Sequence, residues 1–319
     1  MARGRCCSAA ADAPHWHMPE LPDITVYREA LERRIAGQPL DSLSIRGPSL
    51  LKTVVPPAST LVGRSVVGVE RIGKRLVLAF EDELFAVLHL MIAGRLHWKK
   101  KAPAGASRTV LATWSFPDGT LVLTESSPKK RATLSIVAGR DALAAHDPGG
   151  LEPLTASPEE FTQRLVAENH TLKRALTDPH LLSGIGNAYS DEILHRARLS
   201  PLLLTRRLDD DQLMRLFDST RAVLEEWIGR LRAQAGADFP EHVTAFRPEM
   251  AVHGRFGKPC PDCGSAVQRI AYADSETNYC AVCQNEGRLL SDRSLARLMH
   301  DDWPRTLAEL EEKRRSLAR

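Results

Sequence analysis

Two Cys-x2-Cys pairs, Cys260/Cys263 and Cys280/Cys283, stand sixteen residues apart in this 319-residue chain. No other feature constrains the fold as much. Each short pair grips one edge of a tetrahedral ion, so the segment reads as a four-cysteine zinc ribbon with Pro259–Gly264 as its knuckle turn. An iron–sulfur cluster or a redox dithiol is the alternative use of the same thiols. A structural ion supplies folding energy to a segment too small for a core of its own. Cys6 and Cys7 lie at the other end of the chain. A secreted disulfide scaffold spreads its cysteines through the fold, and no signal peptide is visible, so the expected compartment is the cytoplasm.

At about 100–200 residues per domain, the length allows two or three domains. Apolar residues make up 43% and charged residues 26%, which excludes long disordered and fibrous classes. The longest apolar run, Leu84–Gly94, is broken by His89 and falls short of the ~18 residues of a membrane span. A net charge of +3 is too mild to announce a polyanionic partner. Its distribution says more. Between Arg64 and Arg140 stand 13 Lys and Arg against 6 Asp and Glu, a local +7 that leaves −4 for the rest. Lys74-Arg75, Lys99–Lys101 and Lys129–Arg131 each flank an alternating apolar stretch. Singly, such clusters are solvated loop tips; three in one half make a polyanion-binding face.

Residues 1–17 are small, polar and aperiodic and are expected to be a disordered extension. From Ile24 a helix follows, with Ile24, Tyr27, Leu31 and Ile35 on one side, closed by Gly37 and Pro39. Short strands are expected at Arg75–Phe80, Leu84–Leu90, Leu111–Phe116, Leu121–Thr124 and Thr133–Val137, which together suggest a β-sandwich or barrel. Asp147-Pro148-Gly149-Gly150 ends this half, and the period then becomes helical. A capping box, Ser157 with Glu160, precedes Phe161–Glu168; further helices are expected around Leu172–Leu176, Asn187–Ala197 and Asp209–Gln234. The fold class is therefore α+β with several domains.

Two further motifs bear on chemistry. Ser183-Gly184-Ile185-Gly186-Asn187 opens a helix, and it is either a phosphate-holding helix start or a tight inter-helix turn; Asn187 is the expected cap in both cases. Met18-Pro19-Glu20-Leu21-Pro22-Asp23 on its own is a loop before a helix. Taken in order, that start, the β-rich half, the Gly-Ile-Gly-Asn turn and the four-cysteine ribbon resemble the formamidopyrimidine-DNA glycosylase/endonuclease VIII family of base-excision repair enzymes. The resemblance runs from Met18 to about Gln284 and includes His89-Leu90, Gly149–Leu154, Gly184–Glu192 and Val252–Arg255.

The resemblance implies a catalytic β-sandwich domain over 18–147, a helix–two-turn–helix domain over 148–245, a zinc hairpin over 246–285 and a charged helical tail over 286–319. It implies a monomeric, nucleoid-associated enzyme that grips duplex DNA and flips a damaged base or abasic site out of the stack. The nucleophile is then the free amine of Pro19, and Glu20 is the acid/base. An α-amine titrates near 7.7–8.0, so part of it is unprotonated at neutral pH. The same resemblance puts Asp23, Lys74 and Glu192 with the catalytic groups. It puts His89, Ile92, Lys129, Lys130, Arg131, Lys173, Gly184, Gly186, Asn187 and Arg255 on DNA, and one structural zinc ion on the four cysteines. Because Pro19 follows Met18 as an amide, translation is expected to begin at Met18, or residues 1–18 to be removed.

Departures from the family pattern point to a divergent branch with its own lesion range. The stretch that usually carries an aromatic wedge reads Ser127-Pro128-Lys129-Lys130-Arg131-Ala132, leaving Ile92 as the wedge. Asp274–Asn278 is acidic where an arginine normally precedes the third cysteine, and Asp23 replaces a glutamate. The alternative reading is a non-catalytic DNA-damage-binding protein of the same fold; a zinc-ribbon RNA-binding protein leaves Met18–Asp23 unexplained.

Overall fold

The computed structural model describes residues 18–103, 105, 107–241, 243, 247–272, 276–291 and 304–317. The expected extension over 1–17 and, of the acidic stretch Asp274–Asn278, Asp274 and Ser275 lie outside these residues.

Helix α1 (Leu21–Ile35) starts three residues before the expected Ile24, because Glu20 and Asp23 form a reciprocal capping box and Pro22 suits the first turn. Eight strands follow: β1 (Ser42–Ile45), β2 (Val66–Ile72), β3 (Arg75–Phe80), β4 (Leu84–His89), β5 (Gly94–Lys99), β6 (Val110–Phe116), β7 (Gly119–Glu125) and β8 (Thr133–Ala138). They form two antiparallel sheets, in the orders β1-β6-β7-β5 and β2-β3-β4-β8. The sheets share a core with α1 that includes Leu78, Phe80, Leu96, Trp114, Leu123 and Ile136. β3 and β4 are buried on both faces, since Val77, Phe85 and Val87 form a second cluster with Leu143 of α2 (Arg140–Ala144). That is why their sequences run apolar instead of alternating.

The helical domain holds α3 (Pro158–Val166), α4 (Leu172–Thr177), α5 (Asn187–Arg196) and α6 (Asp210–Ala235). Ser157/Glu160 and Asp209/Gln212 are complete capping boxes at the starts of α3 and α6. Its core includes Phe161 edge-on to Phe217 at 5.5 Å and Tyr189 edge-on to Trp227 at 6.0 Å. Leu21 belongs to this core, whereas Ile24, Tyr27, Leu31 and Ile35 belong to the sandwich core. One helix thus straddles both domains. After α6 the chain returns to the sandwich, where Phe239 packs on Tyr27 at 5.6 Å and Arg95 donates to the Val243 carbonyl at 2.6 Å.

The ribbon pairs β9 (Gln268–Ala271) with β10 (Glu276–Tyr279), followed by α7 (Ala281–Asn285). Beyond it the chain turns back as α8 (Leu307–Leu317), and Leu202, Leu289, Leu290 and Leu307 pack around Ile270 and Tyr279. The described part of the charged tail therefore covers one side of the ribbon. No helix among the described residues is long and apolar enough to cross a membrane.

Because Leu21 is fully buried in the helical core, Leu21→Ala is expected to lower stability by about 3 kcal/mol. A denaturant midpoint checks this; an unchanged midpoint contradicts the straddling role of α1.

Candidate active site

The turn before α5 is shaped by close approach. Gly184 lies at φ +79°, where a Cβ would sit 2.8 Å from Cβ of Leu21. A Cβ on Gly186 would sit 2.4 Å from Cδ of Glu20. Only glycines admit the start of α1 here. Leu21 N–H donates to the Gly184 carbonyl at 2.9 Å, and the Glu20 carboxylate accepts the N–H groups of Gly186 (2.7 Å), Ala188 (2.8 Å) and Tyr189 (3.2 Å). Asn187, the expected cap, is instead the first helical residue, with Gly186 in the cap position and without a side-chain cap bond of its own. A charged, two-oxygen carboxylate satisfies three donors and the positive helix end together, which one amide oxygen does not. The helix start is therefore occupied by Glu20 and does not stand open as a phosphate cradle.

Asp23 accepts the Glu20 N–H at 3.0 Å and meets Nη2 of Arg247 at 3.3 Å. Burial pushes the Asp23 carboxyl up to about 6, while the Arg247 guanidinium pulls the other way. Arg247 also donates to Gln234 at 3.0 Å and lies over the Trp227 ring. No motif marked Arg247, because its partner is 224 residues away in sequence.

Lys74 sits in the β2–β3 turn. Burial holds its ammonium below the usual lysine range, with Glu20 opposing and Lys173 reinforcing that shift. Lys173 donates to the Asn187 carbonyl at 2.7 Å and to Asp191 at 2.5 Å. Asp191 also meets Nδ1 of His253 at 2.8 Å and accepts the Asn278 N–H at 3.1 Å. Glu192, expected among the catalytic groups, accepts the N–H groups of Ala251 (2.7 Å), Val252 (2.9 Å) and His253 (2.9 Å). Its carboxylate staples the approach to the ribbon and is not joined to the Glu20 network.

His89 ends β4, and its Nδ1 accepts the Met91 N–H at 3.0 Å, so Nε2 carries the ring proton. Burial, then Arg75 and Lys74, push its pKa down to about 4, leaving a neutral ring with an N–H to offer. Ile92 follows in a half-buried turn. Lys129 and Arg131 are exposed, while Lys130 turns back to the Glu125 carbonyl; the buried Glu125 carboxylate accepts Arg131 N–H (2.9 Å) and Ala132 N–H (3.1 Å). Arg255 donates to the carbonyls of Pro248 (2.9 Å) and Pro259 (3.4 Å), bracing its own loop.

The four cysteine Sγ atoms all lie within 4.8 Å of one another, with Cys263–Cys280 at 3.4 Å and Cys260–Cys283 at 3.9 Å. A tetrahedral ion with ~2.3 Å bonds needs sulfurs roughly 3.8 Å apart, so the donors fit one mononuclear structural metal ion. Nε2 of His195, on α5, lies 3.2 Å from Cys260 Sγ. His195 carried no sequence signal, since it stands far from the cysteine motif.

A sandwich, a two-turn helical domain joined to it by a carboxylate, and a four-cysteine ribbon make up the fold of a class of DNA glycosylases. Residues 18–133 match the formamidopyrimidine-DNA glycosylase N-terminal domain, and residues 150–235 match the H2TH domain of the same enzymes. A formamidopyrimidine-DNA glycosylase of Heliobacterium modesticaldum is 32% identical over 283 residues, spanning 84% of this chain and all of the relative. An uncharacterised formamidopyrimidine-DNA glycosylase-like protein of Mycobacterium tuberculosis is 36% identical over 150 residues, spanning 47% of this chain and 93% of the relative. The chain also superposes on Lactococcus lactis Fpg bound to N7-benzyl-Fapy-dG DNA, with a TM-score of 0.75, 27% identity, and coverage of 84% of this chain and all of the other. The chain belongs to the formamidopyrimidine-DNA glycosylase family.

Two outcomes follow from the site. Glu192→Ala strands three N–H groups at the ribbon approach and is expected to cost about 3 kcal/mol, read by chemical denaturation. Asp23 titrates near 6 when folded and near 3.8 as an ordinary carboxyl, so the folded state holds the extra proton between those values. Its contribution to stability therefore falls as pH rises from about 4 to about 6, and Asp23→Asn should flatten that part of the stability–pH curve.

Proposed function

We propose that this protein is a base-excision DNA glycosylase with associated abasic-site lyase activity, using Pro19 as an amine nucleophile on a damaged nucleotide flipped from duplex DNA. The observation that carries this is the buried Pro19–Glu20 pair seated on the start of α5, with the Lys74 ammonium close enough to feel the Glu20 charge. The Lactococcus lactis relatives are described in complex with abasic-site and Fapy-dG DNA, which supports the same substrate class here.

In this reading the working chain begins at Pro19, since an amide nitrogen has no nucleophilic lone pair. The positive ends of α1 and α5 disfavour a proton on the amine and keep it reactive near neutral pH. Attack at C1′ forms a C–N bond, and the base leaves with the electrons of the glycosidic bond and takes up a proton. The C1′–O4′ bond then breaks as O4′ takes up a proton, which gives the iminium; this draws the electrons of the C2′–H bond when that proton is removed, and the 3′ phosphate departs. Glu20 exchanges protons with the sugar during these steps. Lys74, the Nε2–H of neutral His89, and Asn187 hold phosphates around the lesion. Zinc on Cys260, Cys263, Cys280 and Cys283 supplies folding energy to the ribbon and takes no part in the reaction.

Borohydride trapping on a duplex with one abasic site tests the proposal. Protein beginning at Pro19 should form a covalent adduct, and Glu20→Gln should slow base release by about 100-fold or more. Protein shown by intact mass to retain residues 1–18 should form none. An adduct from that longer form would refute the proline-amine mechanism; no adduct from either form would favour a binding protein without chemistry.

A further inference from the structure

Cys260 is 2% exposed, so its sulfur is held away from water. A buried thiolate needs donors in place of the water it has lost. The other three cysteines find them close by. Cys263 is exposed and Cys283 half-buried, so solvent reaches both, and the buried Cys280 accepts the Cys283 N–H at 3.5 Å. Cys260 instead meets a side chain of the helical domain, Nε2 of His195 at 3.2 Å. His195 is 3% exposed and stands near the end of α5, 65 residues earlier in the chain.

A metal-bound thiolate has no proton to give, so in the loaded ribbon the imidazole donates, through Nε2–H. The four sulfurs fill the positions of a tetrahedral ion, which leaves the ring outside them as a donor and not a fifth ligand. Four thiolates on a divalent ion carry excess negative charge, and an N–H bond to one of them offsets part of it. We infer that His195 positions and stabilises the Cys260 thiolate, so that metal affinity depends on a residue of the helical domain. The bond also joins the ion to the helix whose start Glu20 caps. Metal occupancy and the order of α5 are therefore linked. This linkage goes beyond the repair reading and needs only an ion on the four cysteines.

The test is the zinc affinity of the full chain by competition with a chromogenic chelator, with cobalt(II) substitution beside it. His195→Phe keeps a flat ring without the donor and is expected to weaken zinc binding by about ten-fold or more. His195→Gln, whose amide N–H reaches the place of Nε2–H, should return to within about three-fold of wild type. In the cobalt form, His195→Phe should move the sulfur-to-cobalt charge-transfer band to lower energy at unchanged intensity, because the thiolate lone pairs lose a stabilising donor. A residue that only fills space does not move that band. Removing zinc should speed amide exchange along α5 about ten-fold more in wild type than in His195→Phe. If His195→Phe loses helix by circular dichroism, His195→Leu takes its place as the donor-free variant. A donor-free variant within about two-fold of wild-type affinity overturns the inference, as does a Gln variant no better than Phe. Equal exchange in both proteins overturns the linkage to α5. A change in band intensity overturns the donor role, and so does a second zinc ion held by His195, Asp262 and Cys283, since His195 would then be a ligand. A wild-type chain that binds no zinc overturns the metal site and the inference with it.

Discussion

A carboxylate from the first residues of one domain satisfies three backbone donors at the start of a helix in another. The first N–H groups of any helix lack partners within it, and they are costly when buried without one. In this fold Glu20 supplies the partner for α5, and the glycines at 184 and 186 leave room for it. The same contact fixes the neighbouring Pro19 where the ends of two helix dipoles converge. Position and electrostatics of the proposed nucleophile thus follow from one cap.

Helix α5 then carries that geometry toward the ribbon. Asp191 gathers Lys173, His253 and Asn278, Glu192 gathers the amides of Ala251 to His253, and His195 reaches Cys260. Acids buried on one helix are tolerable because each is matched by several donors. Metal site, helix and proposed catalytic pair are consequently joined through one ten-residue element. The −4 of charge outside the basic sandwich half includes these acids, so part of it is internal bonding and not repulsion of a polyanion.

What could be read from sequence had short-range causes. The apolar runs of β3 and β4, the Ser157/Glu160 box and the cysteine spacing are local patterns; the runs predicted both strands within a residue, and the box marked α3, whose start lies three residues before the expected Phe161. β1, β2 and β5 were missed because Ser42–Ile45 is short and half exposed, Val66–Ile72 contains Gly68 and Glu70, and Gly94–Lys99 carries three basic or polar side chains facing other partners. The Asn187 cap was misassigned because the true cap comes from Glu20, distant in sequence. Arg247 and His195 were invisible for the same reason: each acquires its role only when separate segments meet. Residue identity at the proposed catalytic centre was legible through its resemblance to a family, while the bonds that hold it were not.

Amide hydrogen exchange at the start of α5 tests the central claim most directly. If the Glu20 carboxylate is the partner of these donors, the N–H groups of Gly186, Ala188 and Tyr189 are protected in the native protein and lose protection by at least about 100-fold in Glu20→Ala, while the middle of α6 keeps its protection. Equal protection of the three amides in both proteins would contradict the account, because some other group would then be capping the helix.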